Sequence, residues 1–471
     1  MRRLVLLLIL SLTALSGCAS RDGENPPPLE WEPIAAEDFP YVLAAPGLED
    51  PVGLYQRADE GPGGLHFKIF VNDHPVPLSD VLPMLEHMGL RVIGEVPFAI
   101  RLTGGGEVWI HDFGMRVQGS AEIALSEVRD AFHDAFARVW RGDMEDDGFN
   151  KLVLIAGLNA REVTVLRAYS KFLKQARIPF SQEYIEETLA NNPKIARLIA
   201  QLFAVRFDTG AKKEKADSQA QKLRAQIIEL LEAVSNLDED RIIRRFVNAI
   251  DSTLRTSFHQ RAADGGEKGQ ISFKFDSQAL EELPLPRPFR EIFVYSPRVE
   301  GVHLRFGKVA RGGLRWSDRR EDFRTEILGL VKAQQVKNAV IVPVGSKGGF
   351  VVKRPPPAEA GREAFQAEGI ACYRMFISGL LDITDNLKGN KVVPPKNVVR
   401  WDEDDPYLVV AADKGTATFS DIANGVSADY GHWLDDAFAS GGSAGYDHKK
   451  MGITARGGWE EIGRASCRER V

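Results

Sequence analysis

The chain has 471 residues, a length that predicts about three domains. Hydrophobic residues make up 44%, enough for substantial cores, and the net charge of -6 argues against a general nucleic-acid binder. The three cysteines, Cys18, Cys372 and Cys467, have no metal-ligand spacing and cannot form a disulfide framework. The body of the chain is therefore typical of a reducing compartment, and no metal site is expected.

The first 25 residues resemble a lipoprotein signal. A basic start precedes an apolar run from Leu4 to Leu15, which is too short for an ordinary transmembrane helix. The sequence Leu15-Ser16-Gly17-Cys18 then resembles a lipoprotein cleavage box, in which Cys18 would carry the lipid. Residues 26–64 are rich in proline and predict a flexible linker.

Residues 65–120 have the pattern of a small α+β module. Alternating apolar side chains predict a strand over Leu65–Val71, and an apolar stripe predicts a helix over Leu78–Met88. Two more strands are expected at Arg91–Leu102 and Glu107–Val117. The order β-α-β-β is typical of ferredoxin-like or ACT-like modules, which bind amino acids or mediate assembly. A purely structural cap is the alternative.

Residues 121–268 are predicted to be helical. Asn159 followed by Glu162 is a capping-box pattern at a helix start. Two charged helices, Ala211–Ala233 and Asp238–Gln260, are expected to form an antiparallel hairpin whose basic residues face solvent. The turn Ala262–Gly266 ends this region.

Residues 269–445 alternate strands and helices around one glycine-rich stretch. Apolar spacing predicts a helix from about Asp322 to Lys337 and a short buried strand over Ala339–Val344. The stretch Gly345–Gly349 is interpreted as a turn in which the backbone can closely approach a ligand. Four cations converge here and favour an anionic substrate; they are Arg311, Arg315, Lys337 and Lys347.

A later strand, Tyr407–Ala411, is predicted to deliver Asp413 in front of a helix that starts near Ser420. Structural roles without contact to a substrate are the alternatives for three of these residues. Arg315 could pair with Asp318 or Glu321, Lys347 could be a solvated turn lysine, and Asp413 could be a helix cap or turn residue.

Taken in order, Arg311-Gly312-Gly313-Leu314-Arg315, Lys337-Asn338-Ala339, Pro343, Gly345–Gly349 and Asp413 resemble the substrate domain of glutamate dehydrogenase. Together with the ACT-like and helical regions, the stretch from Leu65 to Trp459 resembles the large NAD-dependent class of that family. The resemblance implies an α/β plus α fold, with an ACT-like module, a helical region and an α/β substrate domain. It also implies a homo-oligomer. No metal is expected, because the nine histidines show no ligand pattern.

The resemblance also implies roles for the substrate-binding residues. Lys337 matches the lysine that holds the α-carboxylate of glutamate. Arg311 stands where smaller members have a lysine that holds the side-chain carboxylate, and an arginine can bind it bidentately. Gly312, Gly313 and Arg315 complete this set. The separation between Lys337 and Lys347 is two residues shorter than in the smaller enzymes, which leaves the turn geometry open.

For the chemistry, Lys347 matches the catalytic lysine that activates the water attacking the imine, and Asp413 matches the aspartate that shuttles a proton to and from the amine. Thr454 matches a threonine near the nicotinamide. The implied reaction converts L-glutamate, NAD and water to 2-oxoglutarate, ammonium and NADH, which places the enzyme in the cytoplasm with the NAD pool. The lipoprotein-like start conflicts with this location and is interpreted as a misjoined start.

No glycine fingerprint of a dinucleotide-binding domain is present. Residues 446–461 are interpreted as the connection to an NAD domain that has been cut away, and residues 462–471 as an adapter-derived tail. The chain is therefore expected to be a fragment that is inactive alone. Two alternatives are an ACT-type amino-acid sensor and a binding lipoprotein tethered to the membrane in the periplasm through Cys18.

Overall fold

The computed structural model describes residues 52–56, 64–101, 106–118, 124–281, 283–337, 344–444, 451–452, 455–460 and 462, and for residues 335–337 it describes the backbone alone. Cys18, Thr454, most of the predicted strand Ala339–Val344 and the side chain of Lys337 lie outside this description.

The described part of the chain contains fifteen strands, eleven α-helices and three 3₁₀ turns. The strands are β1 (Val52–Tyr55), β2 (Gly64–Asn72), β3 (Leu90–Arg101), β4 (Glu107–Val117), β5 (Thr253–Thr256), β6 (Ile271–Phe275), β7 (Arg290–Tyr295), β8 (Val299–Arg305), β9 (Ala310–Arg311), β10 (Gly313–Trp316), β11 (Val344–Val352), β12 (Asn386–Lys388), β13 (Lys391–Val393), β14 (Val410–Ala412) and β15 (Ala439–Ser440). The helices are α1 (Leu78–His87), α2 (Leu125–Arg141), α3 (Lys151–Ile155), α4 (Ala160–Gln175), α5 (Gln182–Asn191), α6 (Pro193–Arg206), α7 (Lys213–Leu231), α8 (Leu237–Asp251), α9 (Phe323–Lys337), α10 (Gly361–Asp382) and α11 (Ser420–Asp429). The 3₁₀ turns are Gly148–Asn150, Ala358–Ala360 and Asp435–Ala437.

The first sheet confirms the predicted β-α-β-β order and adds β1, which falls within the stretch predicted as a linker. Its four strands are antiparallel in the order β1-β2-β4-β3. Phe67 and Phe113 on one face are fully buried, and Phe67 meets the ring of Phe132 on α2 edge-on at 5.2 Å. Aromatic burial of this kind joins the sheet to the first long helix of the next region.

The helical region confirms the predicted capping box. Asn159 accepts a hydrogen bond from the Glu162 backbone N–H, and the Glu162 side chain accepts from the Asn159 backbone N–H. The predicted helix Asp238–Gln260 is too long, because α8 ends at Asp251 and the chain enters β5. Tertiary pairing overrides the helical pattern here, since Arg255 and Thr256 pair with β6.

A nine-stranded mixed sheet forms the middle layer of the remaining structure. Its main path is β15-β14-β10-β11-β8-β7-β6-β5, and β9 pairs with β11. Strands β5 to β8 and β11 form antiparallel pairs, whereas β10 pairs in parallel with both β11 and β14. The parallel strands place the ends of β10 and β14 side by side.

The two faces of this sheet have separate cores. Phe273 and Phe293 on one face pack with the helical region and α9, while Ile292 and Phe350 on the other pack with α10 and α11. The contact with α10 is close at Gly301, where a Cβ would lie 2.5 Å from the Phe376 ring. The structure is therefore an α/β/α arrangement in this part. Within the described residues, no helix is long and apolar enough to cross a membrane.

Candidate active site

The glycine-rich segments form strands at the centre of the site. The predicted turn at Gly345–Gly349 is wrong, because these residues lie inside β11 between β8 and β10. Gly348 and Gly349 would each bring a Cβ to about 2.5 Å from a neighbouring side chain, 2.4 Å from Leu314 and 2.5 Å from Ile327. Their missing side chains serve close strand and helix packing rather than a turn.

The segment Arg311-Gly312-Gly313 also forms extended backbone, as the end of β9 and the start of β10. A Cβ on Gly312 would lie 1.5 Å from the backbone oxygen of Ser346, and one on Gly313 would lie 2.7 Å from that of Ala412. Backbone atoms cannot move aside as side chains do. Both positions therefore require glycine for β10 to pass between β11 and β14.

Lys347 and Asp413, predicted from separate motifs, form an ion pair. The Lys347 Nζ donates to Asp413 Oδ2 at 2.6 Å, and both side chains are 15% exposed. Partial burial raises the pKa of the Asp413 carboxyl, but hydrogen bonds from Lys347 and from the Lys414 backbone N–H outweigh it, so the net shift is downward. The carboxyl is therefore ionised at neutral pH.

The turn after β14 fixes the Asp413 carboxylate. The Asp413 backbone N–H donates to Thr416 Oγ1 at 3.0 Å, and that hydroxyl donates to the Leu314 carbonyl at 2.6 Å. Gly415 has a φ of +83° and lies against Trp316, where a Cβ would come within 2.9 Å. The turn thus ties Asp413 to β10, next to β11.

Arg315 joins β10 to α9 and to the ion pair. Its Nη1 donates to Glu326 Oε1 at 2.7 Å and its Nη2 donates to Asp413 Oδ1 at 3.4 Å. The Ser317 hydroxyl donates to the other Glu326 oxygen at 2.6 Å. The arginine therefore pairs with Glu326 and Asp413 rather than with the acidic residues Asp318 and Glu321 considered from the sequence.

Arg311 is exposed and makes no ion pair within the residues that the structure describes. It pairs through its backbone with Gly345 of β11, two residues before Lys347. The predicted contacts of Lys337 and Thr454 lie outside the described side chains. Of the predicted set, the structure joins Arg315, Lys347 and Asp413 through side-chain contacts, whereas Arg311 reaches β11 through its backbone pairing.

Gln334 is a residue that the sequence reasoning missed. Its Oε1 would meet a Cβ on Gly345 at 2.7 Å and one on Gly312 at 3.3 Å, so it lies against the pairing of β9 with β11. In the described part of the chain this buried oxygen has no hydrogen-bond partner. Its position three residues before Lys337, on the same helical face, is the signal that could have identified it.

His303 lies beneath the site, opposite Gly348 in the pairing of β8 with β11. It is 2% exposed, and neither ring nitrogen has a hydrogen-bond partner in the described part of the chain. Burial, and to a smaller extent Arg305, lowers the pKa of His303 to about 3. The imidazole is therefore neutral in the folded protein at physiological pH.

We expect His303 to make stability depend on pH. In the unfolded chain His303 is protonated below about pH 6.5, whereas in the folded chain it is protonated only below about pH 3. The free energy of unfolding therefore falls as the pH drops below about 6.5. This group alone should remove about 2 kcal/mol between pH 7 and pH 5. Urea unfolding at the two pH values should show a smaller loss for His303→Leu. An equal loss in both proteins would contradict the assignment.

The described residues contain no group of three or more His, Cys, Asp or Glu side chains placed to hold a metal ion. The charges of the site are carried by arginine, lysine and carboxylate side chains. Their arrangement is suited to binding a carboxylate and moving a proton.

Three segments of the chain match models of known protein families. Residues 226–470 match the family model described as the catalytic domain of bacterial NAD-glutamate dehydrogenase. Residues 144–209 match helical motif 3 of glutamate dehydrogenase, and residues 51–128 match its ACT3 domain.

Curated relatives agree with these matches. The chain is 58% identical over 434 residues to the NAD-specific glutamate dehydrogenase of Pseudomonas aeruginosa, an alignment that covers 92% of this chain and 27% of the relative. It is 55% identical over 413 residues to the NAD-specific glutamate dehydrogenase of Halomonas elongata, with 88% of this chain and 25% of the relative covered. The corresponding protein of Mycobacterium tuberculosis is 52% identical over 429 residues, with 88% and 26% covered. The chain thus spans about a quarter of the length of these relatives.

Proposed function

The chain belongs to the bacterial NAD-glutamate dehydrogenase family, and from this premise we propose that it carries the substrate-binding and proton-transfer residues for the oxidative deamination of L-glutamate to 2-oxoglutarate and ammonium. The observation that carries the proposal is the ion pair between Lys347 and Asp413, which joins two motifs 66 residues apart where β11 and β14 flank β10.

In this proposal Asp413 accepts a proton from the substrate ammonium group, since its lowered pKa keeps the carboxylate ionised at neutral pH. Lys347 takes a proton from the water that attacks the imine carbon, and Asp413 returns to the departing amine the proton that it had accepted. Arg315 stabilises the carboxylate of Asp413 and orients it through the contact with Glu326. Hydrogen bonds join Lys347, Asp413 and Arg315, so both proton transfers take place within one connected group.

The two carboxylates of glutamate require two cations. Arg311 is the candidate for the side-chain carboxylate, because it is exposed next to β11 and its guanidinium can bind bidentately. Lys337 is the candidate for the α-carboxylate. The buried Oε1 of Gln334 would accept a hydrogen bond from the substrate amine, which would satisfy an otherwise unpaired acceptor.

NAD supplies the acceptor for the hydride that leaves the substrate Cα. The described residues contain no glycine fingerprint between a strand and a helix, so they do not form the usual cradle for a dinucleotide. The proposal therefore concerns the substrate half of the reaction. Thr454 as a contact of the nicotinamide, and assembly into a homo-oligomer, stay predictions.

The dicarboxylate assignment predicts that the purified chain binds 2-oxoglutarate more tightly than 2-oxobutyrate, which lacks the second carboxylate. Arg311→Gln should weaken 2-oxoglutarate binding about tenfold, because a charged hydrogen-bonded pair is lost, and should leave 2-oxobutyrate binding unchanged. Isothermal titration calorimetry measures both. Lys414→Gln, which removes a nearby exposed cation, is the matched control. Equal weakening of both ligands would remove Arg311 from the dicarboxylate site.

A further inference from the structure

A cavity of about 370 Å³ lies between the helical region and the loop that joins β5 to β6. Its walls come from α2, from the start of α4, from α6 and from loop residues between Phe258 and Glu267. None of the residues assigned to the candidate active site lines it. Its chemistry is therefore independent of the function proposed above.

Three arginines converge on one carboxylate in this cavity. Arg138 Nη1 contacts Glu267 at 2.7 Å, whereas the nearest nitrogens of Arg161 and Arg261 are 3.7 and 3.8 Å from it. Arg138 also binds Asp134 at 2.9 Å. The two remaining guanidiniums are thus only loosely neutralised.

Arg161 is held in place by the loop rather than by an acid. Its guanidinium donates to the backbone oxygens of Phe258 at 3.0 Å and of Lys268 at 3.5 Å. Burial lowers the pKa of Arg161, and its neighbours Arg138 and Arg261 add to that effect against the attraction of Glu267. A guanidinium that backbone acceptors hold in place, with 14% of its side chain exposed, is a preorganised anion site.

The apolar wall of the cavity adjoins its cationic end, because the Arg161 guanidinium lies 5.0 Å from the centroid of the Phe258 ring. Val165, Ala200 and Phe203 line it, and Phe258 packs edge-on against Phe203 with ring centroids 5.2 Å apart. The buried Nε2 of His259, on the same loop, has no hydrogen-bond partner in the described part of the chain. The cavity thus combines a cationic end, an apolar wall and one free polar atom.

We propose that this cavity binds a small organic monocarboxylate, with its carboxylate on Arg161 and Arg261 and its carbon chain against Phe203 and Phe258. The cavity lining holds three carboxylates, those of Asp134, Glu162 and Glu267, which equal the three guanidiniums in charge, so a dianion such as phosphate would be repelled more strongly than a monocarboxylate. The apolar wall selects a compound with a hydrophobic side chain.

The loop between β5 and β6 links this cavity to the α10 and α11 side of the nine-stranded sheet, so a bound ligand could affect residues there. Lys268, next to Glu267, contacts Asp382 at the end of α10 at 2.5 Å. The Tyr430 hydroxyl, directly after α11, donates to the same carboxylate at 2.6 Å. A bound carboxylate should therefore slow amide hydrogen exchange in the loop, with Asp382 as the next point affected.

Titration calorimetry on the full chain tests the proposal with L-phenylalanine, phenylpyruvate and inorganic phosphate as probes. We expect at least one of the two carboxylates to bind, and Arg261→Gln to weaken it about tenfold. Preference for phenylalanine would assign the ammonium to Asp134 or Glu267, and preference for phenylpyruvate would assign the oxo group to His259. Tighter binding of phosphate, or no carboxylate binding at millimolar concentration, would overturn the proposal.

Two further variants separate occupancy of the cavity from folding. Ala204→Phe extends an exposed lining position into the cavity and should abolish binding without removing any charge. Arg101→Gln removes a distant surface arginine and should leave binding unchanged. Arg261 and Ala204 are exposed, so their variants should keep the wild-type unfolding midpoint. Binding that survives both Arg261→Gln and Ala204→Phe would place the ligand elsewhere.

Discussion

Replacing Lys347 with alanine is expected to lower kcat for glutamate oxidation about a thousandfold, the loss typical of removing a general acid–base group. The measurement uses a chimera in which this chain replaces the aligned segment of the Pseudomonas aeruginosa relative, with NADH formation as the readout. In the proposed mechanism the lysine takes the proton of the attacking water, and its hydrogen bond to Asp413 helps to keep that carboxylate ionised. Loss of the lysine should therefore also raise the pKa of Asp413 toward its ordinary value.

The matched control is Lys414→Ala, because this lysine is adjacent to Asp413, is exposed, and contributes only its backbone N–H to the site. The control should retain nearly full kcat. A non-catalytic sensor predicts a different pattern, in which ligand binding persists in Lys347→Ala and the chimera with the wild-type segment is inactive. Undiminished kcat in Lys347→Ala would remove the lysine from the mechanism.

Much of the candidate site could be predicted from the sequence because its residues are tied to short motifs. Lys347 and Asp413 each sit at a recognisable local pattern, and the resemblance to a known family supplied the expectation that they act together. In the ACT-like module, β2, α1, β3 and β4 followed from apolar periodicity, because each of these elements buries one face, whereas β1 was not predicted. The capping box of Asn159 and Glu162 correctly predicted the start of α4, since capping depends on residues within one helical turn.

The sequence did not predict that the glycines of Gly345–Gly349 lie within a strand. Gly345–Gly349 has the composition of a turn, yet its conformation is set by β8 and β10, which lie far away along the chain. The same limit applies to Arg315, whose partner Glu326 is in α9, whereas the sequence offered the closer Asp318 and Glu321. Long-range packing decides both cases, and local propensity does not encode it.

The second large effect is expected from Arg255→Met, which should lower the free energy of unfolding by about 3–5 kcal/mol. Arg255 is fully buried in β5 and binds Asp385 at 3.0 Å and Asp402 at 2.5 Å, while it also donates to the carbonyls of Ile383 and Glu403. Removing the cation takes one donor from each of two buried carboxylates, which keep Arg400 and Lys274 as partners, and one donor from each of the two carbonyls. Urea denaturation followed by circular dichroism measures the change.

Two comparisons decide whether the loss in free energy of unfolding arises because the ion pairs of Arg255 are buried. Arg244→Met removes an exposed partner of Asp240 on α8 and should cost less than about 1 kcal/mol. The double variant Arg255→Met with Asp385→Leu should recover part of the loss, because replacing a buried pair with apolar side chains is less costly than breaking it. If Arg255→Met costs no more than Arg244→Met, the segment from Ile383 to Asp405 must be held to the sheet by Lys274 and Arg305, which bind Asp405, rather than by Arg255.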